Sequence, residues 1–368
     1  MKKVLITGAN GFIAKNLCAH LQNEPDIALL RYTRENEGKL TEMVSACDFV
    51  FHLAAICRHP DKDTLVRENL GFTSRLLSIM QGQNRRIPIL FTSSVQALMN
   101  TPYGICKREE EKRILAYENN TGSPVYFMRL PGVFGKDSRP DYNSVVATFC
   151  YRIAHALPIR VENPEAPLTL CYIDDVVDRM TRILKEGSKE RLSQVEPCYS
   201  LTVGELAEHI RYFERVRTNT VPALTDPFLK KLYSTYVSFL PQEKLLYPLK
   251  AHRDERGLFA EFLHSDMCGQ ISINRALPGV TKGGHVHRLK YEKFLVVSGS
   301  GVVRLRKQGE SEILSFPVDG EHPQVVEIPP GYVHDIVNTG KDVLVFVIWA
   351  NENFDSKNPD TYREGIKE

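Results

Sequence analysis

Apolar and polar positions along the first half of this chain recur as strand, turn, helix. Val4, Leu5 and Ile6 are a short apolar run of the kind buried on both faces of a parallel sheet. Glycines at 8 and 11 follow, and then a helix with Phe12, Ile13 and Leu17 on its apolar side. Ile27 to Arg34 reads as a second strand, Thr41 to Ala46 as a short helical segment, and Cys47 to Ala55 as a third strand ending in small residues. A helix over Glu68 to Leu77, with the polar Asn69 inside it, leads to a strand over Ile87 to Ser94 that ends in hydroxyls. Strands alternating with helices predict a doubly wound, mostly parallel α/β sheet. Only the short segment around Thr41 separates the second strand from the third, so the sheet is expected to lack a strand on that side. Farther on, the polar, proline-containing stretch Lys136 to Ser144 precedes an amphipathic helix, and Leu201 to Ile210 reads as a capped peripheral helix.

From about Leu245 the texture changes. Apolar runs become short, β-prone and closely spaced, at Gln270–Asn274, Phe294–Val297, Val302–Leu305, Val325–Ile328 and Val343–Trp349, with glycine and proline turns between them. That pattern predicts a small all-β sandwich or barrel over residues 244–368, after an α/β domain over 1–243.

Composition narrows the function classes. The 368 residues allow two cores. A net charge of +2 without a dense basic run argues against nucleic acid or an acidic membrane as partner, and no apolar run is long enough to span a bilayer. The N-terminus enters a strand after two lysines with no export pattern, so a cytoplasmic protein is expected. Eight cysteines without a Cys-x-x-Cys pair fit reduced thiols.

The first candidate chemistry is nucleotide binding. Gly8 allows a tight turn, and Gly11 lets a pyrophosphate approach the amides at a helix N-terminus, with small Ala14 packing helix on strand. At the end of the second strand, where NAD enzymes usually carry an acid, stand Arg31 and Arg34. A guanidinium suits a 2′-phosphate, so NADPH is the expected cofactor. Beyond the hydroxyl-tipped strand, Tyr103 and Lys107 share one helix face at i and i+4. The ammonium is expected to lower the phenol's pKa, and such a tyrosine can hand a proton to a developing alkoxide while Ser94 hydrogen-bonds the same oxygen. Arg139 and Asn143, in the loop before the amphipathic helix, are candidates to hold a nucleotide diphosphate.

In Thr7–Ala14, His52–Ala55, Ser93–Ser94, Tyr103–Lys107, Arg129–Gly135 and Tyr172–Val177 the chain resembles the extended short-chain dehydrogenase/reductase family, with its Rossmann-type sheet. The resemblance implies that Tyr103 is the proton donor, that Lys107 holds the nicotinamide ribose and that Ser94 polarises the substrate carbonyl. It also implies cofactor contacts from Asn10, Phe12, Ile13, Leu53, Ala54 and Asn69. The serine and tyrosine are closer together here than is usual in that family, which leaves Ser93 and Ser94 both open as the catalytic hydroxyl.

The second candidate chemistry lies in the β-prone part. His285 and His287, two apart on a strand, face one side, Glu292 returns on the next strand, and His334 follows the sharp Pro329-Pro330-Gly331 turn. Three imidazoles and a carboxylate are a ligand set for one divalent ion with a position left open. Zinc, iron, manganese and nickel all suit this set, and zinc, which has no redox chemistry, is the expected one. These motifs resemble the cupin family, and Asp254–Ala260 is similar to its sugar 3,5-epimerase branch.

A reductase followed by a cupin resembles the bifunctional enzymes of capsular polysaccharide and O-antigen synthesis. The implied substrate is a UDP-linked 2-acetamido-2,6-dideoxy-4-ketohexose of the L series. The cupin would invert carbon 3, with Lys282, Tyr291 and Tyr332 as candidate acids and bases, and the reductase would reduce carbon 4. The implied product is UDP-N-acetyl-6-deoxy-L-talosamine, and a homodimer is expected. The alternative is a reductase whose cupin metal is purely structural.

Overall fold

A computed structural model describes residues 1–218, 222, 224–248, 251–254, 257–260, 269–352 and 357–366. Contacts divide the chain into two compact units, residues 1–145 with 167–201, and residues 146–166 with 202–368.

The first unit is built on β1 (Lys2–Thr7), α1 (Phe12–Leu21), β2 (Ile27–Tyr32), α2 (Leu40–Ala46), β3 (Phe49–His52), α3 (Lys62–Gln81), β4 (Ile89–Ser94), α4 (Pro102–Thr121) and β5 (Val125–Leu130). The five strands form one parallel sheet in the order β2-β1-β3-β4-β5. The anticipated shortening is real: β2 is the edge, and only a 3₁₀ turn and α2 lie between it and β3. The order reverses at β1, so a crevice opens beyond the carboxyl ends of β1 and β3, where α/β sheets bind nucleotides. Leu5, Val50, Ile89, Phe91 and Phe127 meet Leu40 and Val44 of α2, Leu76 and Met80 of α3, and Ile114 and Tyr117 of α4 in one apolar core. After β5 come β6 (Gly132–Phe134), α5 (Val145–Ala154), which counts with the second unit, β7 (Pro167–Tyr172), α6 (Ile173–Glu186) and β8 (Cys198–Thr202). Strands β6, β7 and β8 make a second small sheet, and α6 packs against α1.

The second unit adds α7 (Val203–Val216), started by the Thr202/Glu205 capping box, and α8 (Pro227–Val237), capped by Asp226. The strands that follow are β9 (Leu246–Pro248), β10 (Ala251–Asp254), β11 (Gly257–Ala260), β12 (Gln270–Ala276), β13 (Thr281–Val286), β14 (Glu292–Ser298), β15 (Ser300–Lys307), β16 (Ile313–Asp319), β17 (Gln324–Ile328), β18 (Tyr332–Asn338), β19 (Leu344–Ala350) and β20 (Tyr362–Arg363). Two five-stranded sheets result, β12-β19-β14-β17-β9 and β16-β15-β18-β13-β20, beside a β10–β11 hairpin. Phe294 of one sheet meets His334 of the other at 5.9 Å, so these faces look inward. Glu255 and Arg256 of the sugar-epimerase-like stretch lie outside the described residues.

Strict alternation would expose Lys293 and Glu327, yet both are buried. Lys293 Nζ donates to Glu327 Oε1 at 3.0 Å, to the Arg217 carbonyl at 2.7 Å and to Tyr247 Oη at 2.8 Å. Arg217, just past α7, also donates to Glu327 at 3.4 Å. The α7–α8 pair thus covers the outer face of this sheet, and each buried charge meets a partner, as burial requires. Among the described residues no helix is long and apolar enough to cross a membrane.

Candidate active site and metal centre

The glycine turn is shaped by close approach. Gly8 takes φ +68°, and a Cβ there would lie 2.7 Å from the Ala54 Cα. Only glycine lets the end of β1 meet the loop after β3. Gly11 is the N-cap of α1 and supplies no side chain to the first turn, so the amides of Phe12 and Ile13 are left for an anion. Asn10 is exposed beside them. These features fit a dinucleotide pyrophosphate. Thr7 Oγ1 accepts the amides of Leu53 and Ala54 at 3.1 and 3.2 Å, which fixes the far wall of the turn. Asn69 spends both ends of its carboxamide on the backbone of Ile56, at 2.8 and 3.0 Å, and so shapes the same loop. Arg31 and Arg34 are both exposed at the end of β2. The Thr33/Asn36 capping box starts the turn that carries Arg34, and Asn36 donates to the Arg31 carbonyl at 2.9 Å.

Tyr103 and Lys107 share the first turns of α4, as their spacing requires, with Lys107 Nζ 5.7 Å from the Tyr103 ring centre. Gly104 makes the compressed link from β4 possible, since a Cβ there would lie 2.2 Å from the Gln96 carbonyl oxygen. Ser93 is buried, whereas Ser94 is half-buried at the strand tip. Ser94 Oγ accepts the Gln96 amide at 3.1 Å, which leaves its own proton to donate.

The expectation that the ammonium lowers the phenol's pKa does not hold. The Tyr103 hydroxyl is pushed well above its ordinary value, by burial first, then by Cys57 and Glu110. Cys57 Sγ lies 3.9 Å from Tyr103 Oη. The Lys107 ammonium sits against Glu110 at 3.0 Å instead, both side chains being essentially buried. Tyr103 therefore stands protonated, ready to give a proton rather than take one.

Glu110 ends a directed chain. Thr7 Oγ1, already accepting two amides, gives its proton to His52 Nδ1 at 3.0 Å. His52 Nε2–H then donates to Thr73 Oγ1 at 2.9 Å, and Thr73 donates to Glu110 Oε1 at 2.7 Å. This ordering requires a neutral His52. Burial and the Lys107 charge depress its pKa to about 3. The unfolded chain therefore binds a proton below pH 6.5 that the folded one refuses. Stability contributed here is full above that pH and is lost as pH falls towards 3, by about 1.4 kcal/mol per pH unit. Denaturant titrations between pH 6.5 and 4 should show that decline in the unit containing His52, and His52→Asn should flatten it; an unchanged slope would contradict the assignment.

In the loop before α5, Arg139 is exposed and stacks over the Tyr142 ring at 5.0 Å. Asn143 Oδ1 accepts from Arg58 Nε at 3.0 Å. Arg58, on the loop after β3, thus adds a second guanidinium beside that loop, one that periodicity did not single out.

In the second unit, ligand atoms of His285, His287, Glu292 and His334 all lie within 4.8 Å of one another. Gly283 and Gly284, at φ +109° and +70°, make the bulge in β13 that brings His285 opposite His334. A Cβ on Gly283 would lie 2.8 Å from the His334 carbonyl oxygen. The Gly331 amide donates to the His287 carbonyl at 2.8 Å, tying the proline turn to the same strand end. His287 Nδ1 pairs with the Asp360 carbonyl at 2.5 Å and His334 Nδ1 with that of Tyr332 at 3.2 Å. Carbonyls only accept, so both rings carry their proton on Nδ1, and their Nε2 lone pairs face the cluster beside Glu292 Oε2, at 3.6 and 3.3 Å. Both Nε2 atoms are buried without a hydrogen-bond partner. Such lone pairs beside a carboxylate fit a divalent cation.

Burial and the neighbouring imidazoles depress the His285 pKa to about 4. Burial works to raise the Glu292 carboxyl, but the His287 and His334 rings beside it outweigh that and hold the group below the usual carboxylate range. A neutral His285 imidazole and an ionised Glu292 carboxylate are protonation states a metal requires. Of the candidate acids and bases, Lys282 is exposed on β13. Tyr291 is fully buried with its ring against Tyr233 and Trp349, at 5.0 and 5.2 Å, and belongs to the core. Tyr332 is half-buried at the start of β18.

Two family models match separate stretches of the chain. A family model described as the NAD dependent epimerase/dehydratase family matches residues 4–195. One described as the polysaccharide biosynthesis C-terminal domain matches residues 252–362. The chain is similar to the UDP-2-acetamido-2,6-beta-L-arabino-hexul-4-ose reductase of Pseudomonas aeruginosa, with 43% identity over 369 residues that cover 100% of this chain and 99% of that one. Capsular polysaccharide assembling protein CapF from Staphylococcus aureus, a solved structure, is similar over 99% of each chain at 38% identity and a TM-score of 0.67. UDP-glucose 4-epimerase of Thermotoga maritima shares the fold at 21% identity and a TM-score of 0.52, over 58% of this chain and 82% of its own.

Proposed function

Since this chain belongs to the NAD-dependent epimerase/dehydratase family, we propose that it is a bifunctional nucleotide-sugar enzyme. Its substrate is a UDP-linked 2-acetamido-2,6-dideoxy-4-ketohexose of the L series. Residues 244–368 form a metal-binding cupin that inverts carbon 3. Residues 1–243 form the reductase with its substrate lobe, which reduces the ketone at carbon 4 with NADPH. The product is UDP-N-acetyl-6-deoxy-L-talosamine, a precursor of capsule or O-antigen polysaccharide. The observation that carries this reading is the presence in one chain of Tyr103 beside Lys107 on α4 and of four ligand atoms, from His285, His287, Glu292 and His334, within 4.8 Å of one another. The relative from Pseudomonas aeruginosa, named as a reductase of such a 4-ulose, supports it.

NADPH, when bound, supplies the hydride. The amides of Phe12 and Ile13 hold its pyrophosphate beside Gly8, Asn10 and Gly11, and Leu53, Ala54 and Asn69 form the wall of the pocket. Lys107, its charge balanced by Glu110, holds the nicotinamide ribose. Tyr103 passes its proton to the oxygen on carbon 4 as negative charge builds there, and Ser94 donates to the same oxygen. Arg139 and Asn143, with Arg58, hold the diphosphate of the sugar nucleotide. A divalent ion, zinc by preference, supplies Lewis acidity at the carbonyl that makes the carbon 3 proton acidic. His285, His287 and His334 offer it neutral nitrogens and Glu292 a carboxylate. The enzyme works in the cytoplasm as a homodimer.

Arg31 and Arg34 set the choice of NADPH. Replacing both by alanine should raise the KM for NADPH by about 10- to 100-fold, the loss expected for charged hydrogen bonds to a phosphate, and leave that for NADH nearly unchanged. Equal changes for both cofactors would remove the arginines from this role. The overall reading is tested by supplying UDP-4-keto amino sugars with NADPH. Cofactor oxidation with formation of the carbon 4 alcohol is expected, and no consumption with any such sugar overturns it. The second reading, reduction alone with a structural metal, is favoured by the name of that same relative, which states only a reductase.

A further inference from the structure

The segment Pro359–Glu364 is fastened onto the strand and loop that carry three of the four clustered ligands. The Asp360 carbonyl accepts from His287 Nδ1 at 2.5 Å. The Asp360 carboxylate accepts three successive amides, those of Arg288 at 3.0 Å, Leu289 at 2.9 Å and Lys290 at 2.6 Å. These residues link His287 to Glu292. Lys290 Nζ reaches back to the Pro359 carbonyl at 2.9 Å and to Thr361 Oγ1 at 3.2 Å. Tyr362 and Arg363 pair with Val286 and His285, and the Glu364 amide donates to the Gly284 carbonyl at 3.0 Å. The Glu364 carboxylate is held by Arg306 at 2.7 Å and Gln308 at 2.9 Å. Asp360 adopts φ +40°, a left-handed conformation unusual for a residue with a side chain, which aims its carbonyl and its carboxylate at the same turn.

We propose that Asp360–Glu364 is a latch that sets the ion affinity of the His285, His287, Glu292 and His334 cluster, with Asp360 as its positioning residue. The inference rests on reading that cluster as a metal centre. The Asp360 carbonyl keeps the His287 proton on Nδ1, so that Nε2 is the ligand atom, and its carboxylate fixes the loop that sets the spacing between His287 and Glu292. Partners of this kind, behind the ligands themselves, typically change metal affinity by about 10- to 100-fold. The coupling is reciprocal: if the latch strengthens ion binding, the bound ion must strengthen the latch.

Two measurements on the full chain test it, with zinc as the probe. In chelator competition, Asp360→Ala should bind zinc about 10- to 100-fold more weakly than the parent. In the parent, zinc should slow backbone hydrogen exchange at Asp360–Glu364, a readout that stands even if the variant fails to fold. Equal zinc affinity in a folded variant, or exchange at Asp360–Glu364 that zinc leaves unchanged while the parent binds it, overturns the latch and leaves the metal centre standing. A parent that binds no zinc overturns both.

Discussion

Replacing Tyr103 by phenylalanine should slow reduction of the keto sugar by about 10²- to 10⁴-fold, the range that a positioned proton donor supplies. The phenylalanine keeps the ring and the start of α4, so binding of NADPH should change little. The loss should fall on kcat, because the proton is given only as charge develops on the carbonyl oxygen. The direction of the Tyr103 shift adds a pH signature. Its pKa is raised by burial and by Cys57 and Glu110, so the donor stays protonated through neutral pH. The parent's kcat for reduction should therefore show no loss of a proton donor between pH 6 and 9, the upper limit lying well short of even the ordinary tyrosine value near ~10. A Tyr103→Phe enzyme with unchanged kcat would remove the phenol from the reaction. The same result would favour a protein that binds the nucleotide sugar without converting it.

Removing the divalent ion, or replacing His334 by alanine, should abolish exchange of the carbon 3 proton while reduction of an already inverted ketone continues. Charge stabilisation by a metal is worth several kcal/mol, and about 4 kcal/mol corresponds to ~10³-fold in rate. His334 is the sharpest choice because its Nε2 is buried, lacks a hydrogen-bond partner and lies 3.3 Å from Glu292. Added zinc should restore exchange in the stripped parent and not in the variant. If the stripped parent exchanges carbon 3 at the normal rate, the metal is structural and the second reading stands.

Spacing carried the sequence reading furthest where chemistry depends on local geometry. Gly8 and Gly11, Tyr103 with Lys107, and His285 with His287 are set by turn, helix and strand periods, and those periods can be read from residues close in the chain. The shortened sheet was visible too, because too few residues separate β2 from β3 for another strand and helix. What stayed hidden depends on how distant elements pack. Glu110 is one of three consecutive glutamates, and although it stands three residues after Lys107, nothing local says that its side chain also meets Thr73. Burial of the Tyr103 hydroxyl, with Cys57 and Glu110 beside it, reverses the shift that Lys107 alone would give. Lys293 and Glu327 look like solvent-facing positions until α7 and α8 are seen to cover them. Tyr291 drew notice by lying next to Glu292, but successive strand residues point to opposite faces, and its ring faces Tyr233 and Trp349. Asp360 lies 73 residues from His287, beyond the reach of any local pattern.

The division of labour between an inverting and a reducing site is tested most directly by following the sugar by NMR in deuterated water, with and without NADPH. Without NADPH, the zinc-loaded enzyme should place solvent deuterium on carbon 3 and leave the ketone intact. With NADPH, the product should carry that deuterium on carbon 3 and a new alcohol at carbon 4. Reduction with no deuterium at carbon 3 under either condition would contradict the account and leave a simple reductase.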